Sequence, residues 1–103
     1  MTNVSGKDMR GWNLEGEDLE GVNLSGANLS GANLTGANLS DTNLYAAHLR
    51  GANLTRADLR GAYLRGADLS GADLSGADLS NGGWFLLEAN LTGTTMPDGS
   101  IHK

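Results

Sequence analysis

Leucine recurs at every fifth position, at 14, 19, 24, 29, 34, 39, 44, 49, 54, 59, 64, 69, 74 and 79, with small or polar residues between. Aligned on this period, residues 2–81 divide into sixteen consecutive pentapeptides, from TNVSG and KDMRG through ANLSG and ADLRG to ADLSG and ADLSN. Neither regular element can use a period of five. On an α-helix five residues advance about 500°, which scatters the leucines around the cylinder. In a straight strand an odd period throws successive leucines onto opposite faces. Collagen needs glycine at every third position. What fits is a chain that bends by the same angle after each pentapeptide, so that every Leu points to one axis. Coils of this kind stack as parallel strands about 4.8 Å apart.

The other positions then acquire roles. The residue two before each Leu is Ala at 27, 32, 37, 47, 52, 57, 62, 67, 72, 77 and 89, and by strand alternation it shares the inward direction. Asn or Asp before the Leu, and Ser, Thr or Arg after it, face outward, where Asn and Asp can bond nearby backbone groups. Glycine closes most pentapeptides and accepts the angles of a repeated corner. The predicted core is the leucine series from Leu14 to Leu79, joined by Leu91. The period by itself allows three, four or five sides per coil.

Two stretches break the pattern. Near the start the inward position holds Lys7, Trp12 and Glu17, and Met9 replaces Leu. Burying an unpaired charge is costly, so the first coil is expected to be distorted or open at its end, with Trp12 folded over the core. After Asn81 the run GGWFLLE intervenes, and Leu91 and Met96 resume two residues out of phase. A two-residue bulge with Trp84 and Phe85 plugging the lumen suits a terminal coil, because a solenoid needs atypical ends. Residues 82–103 thus read as an irregular last coil and cap on a single domain spanning 1–103.

Runs such as ANLSGANLSGANLTG and ADLSGADLSGADLS resemble the pentapeptide repeat family. The resemblance implies an all-β fold, a right-handed quadrilateral parallel β-helix with four pentapeptides per coil and about five coils here. The ending ANLTGTTMPDGSIHK is similar to that of cyanobacterial members. Some members of the family act as duplex-DNA mimics that bind DNA gyrase and protect it from quinolones.

Composition changes the picture little. Leu, Ile, Val and Phe make up about a fifth of the chain, near the border of disorder, yet one Leu and one Ala per side is what such a coil requires. The absence of cysteine removes disulfides and thiolate metal sites. A net charge of −5 argues against direct nucleic-acid or anionic-membrane binding. The start MTNVSGKDMRG has no apolar signal core, which leads to a cytoplasmic expectation.

Candidate chemistry is sparse. His48 has no nucleophile or paired carboxylate at a meaningful spacing and reads as a surface histidine. Thr35 and Thr55 stack, but Glu15 and Ser75 flank them, which makes a poor ice-binding ladder. Stacking by twenty places Ser5, Ser25, Tyr45, Arg65 and Phe85 in one outward column with Tyr63 beside it. Arg65 is expected between the two aromatic rings, with Arg50 extending a patch for a partner. The expected function is a non-enzymatic interaction module without cofactor or metal that meets a protein, with homodimerisation through a coil end as a further expectation. The gyrase-binding reading is the alternative.

Overall fold

The computed structural model describes residues 2–80 and 88–103. Parallel bridges join residues twenty apart at every fifth position, from Asn3 with Asn23 to Asp58 with Asp78. Twenty residues are four pentapeptides, so the coil has four sides, which settles what the period left open. Side one is bridged at Asn3, Asn23, Asn43 and Tyr63, and side two at Asp8, Asn28, His48, Asp68 and Asn90. Side three is bridged at Asn13, Asn33, Asn53, Asp73 and Thr95, and side four at Asp18, Asn38, Asp58 and Asp78.

Residues 23–27 show how one pentapeptide satisfies its backbone. The Asn23 N–H donates to Thr2 of the preceding coil (2.9 Å), Leu24 to Asn43 of the next (2.8 Å) and Gly26 to Tyr45 (2.8 Å), while Ala27 closes the corner onto Leu24 (3.0 Å). The fifth N–H, that of Ser25, points off the ladder and is taken by the side-chain oxygen of Asn23 at 3.0 Å. The same contact recurs at Asn33, Asp58, Asp73 and Asn90, among others. This explains why Asn and Asp interchange before each Leu: both offer the same acceptor. Thr95 stands in that place with a hydroxyl instead of that oxygen, and the residue two further on is Pro97, which has no N–H to satisfy.

The inward rows form the core. Leu24, Leu29, Leu34, Leu39, Leu44, Leu49, Leu54, Leu59, Leu64, Leu69, Leu74 and Leu91 are buried, with alanines alongside. Leu14, Leu19 and Leu79 are only half-buried, because they line the ends of the stack. Thr42 and Thr94 interrupt the inward alanine row without leaving a polar atom stranded. Their hydroxyls donate to the carbonyls of Leu39 at 2.7 Å and Leu69 at 2.6 Å.

The expected two-residue phase shift is present in the ladder, where Asp68 pairs with Asn90 and Asp73 with Thr95, each 22 residues on. The bulge itself and the plugging roles of Trp84 and Phe85 lie outside the described residues. Another part of the cap is visible. The tail turns at Asp98-Gly99, where Gly99 has φ 87°, and Ile101 returns antiparallel to Thr95. Gly93 donates to His102 and His102 to Thr94, both at 2.8 Å.

The distortion expected of the first coil is absent. Its bridges are regular and Gly6, Gly11 and Gly16 hold φ of 68–69°, like the interior corners. The reason is position: at the end of the stack Lys7, Trp12 and Glu17 remain exposed, so there is no buried charge to relieve. Trp12 is not among the apolar side chains packed on the core. It is 42% exposed, and the Lys7 ammonium sits 5.2 Å from its ring centre.

Candidate protein-interaction surface

Among residues 3–80, five depart from the corner-glycine and Asn/Asp rules. Asp41, Ala46 and Arg56 take corners at φ 56–59° that glycine usually holds, at a cost of about 1–2 kcal/mol each for an L-residue. His48 and Tyr63 replace the Asn or Asp of sides two and one, so the N–H groups of Arg50 and Arg65 lose the side-chain acceptor found elsewhere. Ala46, His48 and Tyr63 are contiguous on side one, its corner and side two. Local stabilisation surrendered in one place is a mark of a functional surface.

At its centre Tyr45 and Tyr63 stack, with ring centres 6.0 Å apart and planes within 13°. Tyr45 is 49% exposed. The two tyrosines stack on each other without Arg65 between them. Tyr63 leans diagonally across the ladder onto Tyr45, and Arg65 turns to Glu88, Nε to Oε2 at 2.6 Å, because a carboxylate holds a cation better than a ring face does. The Tyr63 side chain, then the Glu88 charge, hold the Arg65 guanidinium above its usual pKa. Arg50 stands one corner further on, where its charge helps to lower the pKa of Asp68. Phe85, the expected end of this column, lies outside the described residues.

Four of the seven basic residues, Arg50, Arg56, Arg60 and Arg65, fall within sixteen positions, but the coil distributes them one to each corner. They form a belt rather than a basic patch. The acids are not spread in the same way. Residues 17–21, 37–41, 57–61 and 77–80, which make side four and its corner, hold Glu17, Asp18, Glu20, Asp41, Asp58 and Asp78 against Arg60 alone. That face therefore carries a net −5, equal to the net charge of the whole chain. Arg60 is clamped by Asp58 at 2.7 Å and lies 4.0 Å from Asp78. A shallow polar cleft opens between Glu20, Ser40, Asp41, Arg60 and Gly61. The Asp41 carboxylate fills the space a Cβ on Gly61 would need.

At Asp68, Asp73 and Asp78 the carboxyl pKa is lowered, chiefly by the hydroxyl two residues on, of Ser70, Ser75 and Ser80 respectively, each with the serine N–H adding to it. A carboxyl whose folded pKa lies below its unfolded value stabilises the fold above the unfolded pKa and loses that contribution as pH falls through the folded one. Melting temperature is therefore expected to fall below about pH 4. In a D68N/D73N/D78N variant, which keeps the acceptor oxygen but cannot titrate, that fall should be shallower when followed by circular dichroism.

The sequence model of pentapeptide repeats matches residues 8–41 and 42–81, in eight copies. The chain belongs to the pentapeptide repeat family. Its fold is accordingly the right-handed quadrilateral β-helix of that family, whose members are generally non-enzymatic repeat proteins. A pentapeptide repeat protein of the Arabidopsis thaliana thylakoid lumen superposes with a TM-score of 0.75 at 28% identity, covering 97% of this chain and 72% of that one. QnrB1, a plasmid-mediated fluoroquinolone resistance protein, superposes with a TM-score of 0.57 at 28% identity over 91% of this chain. This chain spans half the length of QnrB1. No curated protein sequence matches the chain significantly.

Proposed function

We propose that this pentapeptide repeat chain is a non-enzymatic, rigid scaffold that binds a protein partner through Tyr45 and Tyr63, with Arg65 and Arg50 at the margin. The observation that carries this reading is the exposed tyrosine stack, set where the fold gives up its own capping and corner rules. Tyr and Arg dominate the energetics of protein interfaces, and side chains held on a hydrogen-bonded coil lose little freedom on binding. Tyr45→Ala is expected to weaken capture of the partner from the source cell by about 30-fold or more, a loss of about 2 kcal/mol, without changing the melting temperature. Equal recovery by wild type and Tyr45→Ala would overturn the reading.

The charge of side four favours a second reading. Asp18, Asp58 and Asp78 share one column, with Asn38 between the first two, and the arginines that interrupt the acids in sequence mostly sit on other corners. Such a face presents a polyanion to a basic groove. The likeness to QnrB1 directs this reading to DNA gyrase. Supercoiling by gyrase that is unchanged in excess of this chain removes it.

A further inference from the structure

We infer that the backbone N–H and guanidinium of Arg50 form a receptor for a carboxylate, an Asp or Glu side chain that the protein partner sets beside its contact with Tyr45. This rests on the tyrosine-centred reading of the surface and names the chemistry that its partner must carry. Four arginines stand directly after an inward Leu or Met, at 10, 50, 60 and 65. At two of them the fold displays the complete arrangement. Asp8 accepts from Arg10 three times, from the backbone N–H at 3.2 Å and from Nε and Nη2 at 2.9 Å each. Asp58 accepts from Arg60 in the same way, at 3.1, 2.9 and 2.7 Å. In both clasps the carboxylate belongs to the residue two before the arginine. Before Arg50 that residue is His48 and before Arg65 it is Tyr63, and neither has a carboxylate to give.

Arg65 shows what an arginine without its Asp does on this surface: it takes the carboxylate of Glu88, brought in from another coil. Arg50 has no such substitute. It makes no ion pair among the described residues, and its N–H has no acceptor among them. The neighbouring acid, Asp68, holds the N–H and hydroxyl of Ser70 through Oδ1, at 3.0 and 2.7 Å. Arg50 and His48 are both exposed, and the imidazole can turn a ring N–H toward the same anion. A planar guanidinium matches a planar carboxylate, and such charge-assisted bonds are about twice as strong as neutral ones. The wider charge agrees. Sides one and two, with Glu88, hold Lys7, Arg10, Arg50 and Arg65 against Asp8, Asp68 and Glu88, and side two lies across the coil from the acidic side four. An acidic segment is therefore admitted at Arg50 and repelled by side four.

Selection of random peptides displayed on phage, with the full chain immobilised, tests this. Recovered peptides are expected to carry Asp or Glu near an aromatic or apolar residue. Replacing that acid by its amide in a recovered peptide, or Arg50→Gln in the chain, should weaken binding at least about tenfold in fluorescence anisotropy. The deciding variant is His48→Asp, which keeps Arg50 but fills the clasp with the chain's own carboxylate, as Asp8 and Asp58 do. It too should bind at least about tenfold more weakly, while circular dichroism shows it folded as wild type. Peptides without an acidic residue, an amide peptide that binds equally well, or His48→Asp binding as tightly as wild type would each overturn the proposal. Peptides that depend on Tyr45 and ignore Arg50 would overturn it and leave the tyrosine reading intact. Peptides that depend on Arg50 and ignore Tyr45 would leave the carboxylate receptor standing and remove the tyrosine reading. A selection that enriches no peptide would overturn both.

Discussion

Leu54→Ala is expected to lower the stability of the chain by about 3–4 kcal/mol, against about 1 kcal/mol or less for Leu14→Ala. Leu54 is fully buried, as are Leu34 and Leu74 directly before and after it in the stack. The cost of such a truncation depends on how far the surroundings collapse into the cavity. Here they can barely move, because backbone bonds of 2.7–2.8 Å fix the coils on both sides: Leu34 donates to Asn53 and Leu54 to Asp73. The alanines beside Leu54 are too small to fill the gap. Leu14 sits on the first coil, half-buried and open to solvent on one side, so its removal leaves a dent rather than a void. Urea titrations of the two variants give the comparison, and equal losses would mean that the stack relaxes around an internal cavity.

That prediction needed only the period of five, whereas other features needed the coordinates. Leucine and alanine spacing identified the inward rows, and the shift at Leu91 and Met96 was legible because it breaks a sixteen-fold repetition. The number of sides was not, since bend angle does not follow from a period; it required the bridge from Asn3 to Asn23 and its successors. The tyrosine pair was legible as a column plus its neighbour, but the choice of Arg65 between a ring and Glu88 was not. Glu88 enters through a register of 22 rather than 20, beyond the irregular segment. His48 and Tyr63 break the Asn/Asp rule, and Ala46 breaks the glycine rule, yet their meaning appears only once the Asn/Asp oxygen is seen to hold a backbone N–H. The belt of arginines teaches the converse: four nearby residues in sequence are spread around four corners by the fold.

Ala47→Lys is expected to abolish folding, although lysine already occupies the same place two stack positions earlier in the chain. Lys7, Ala27, Ala47 and Ala67 form one inward column, related by the twenty-residue register. Lys7 is exposed on the terminal coil with its ammonium over Trp12, whereas Ala47 is fully buried between coils that close the lumen above and below. A lysine at 47 would have to enter that lumen or turn its side of the coil outward. The first course strands a charge, or a neutral amine, and four methylenes in a packed core, at a cost of about 5 kcal/mol or more. The second breaks the ladder from His48 to Ala27 and from Leu49 to Asp68. A domain of this length is stable by about 5–15 kcal/mol in all. Ala47→Lys should therefore show no cooperative melting, while Lys7→Ala should stay within about 0.5 kcal/mol of wild type. A folded Ala47→Lys protein would mean that the lumen admits water or that the coils part locally. Rank in the stack, rather than residue type, would then no longer decide what the inward row tolerates.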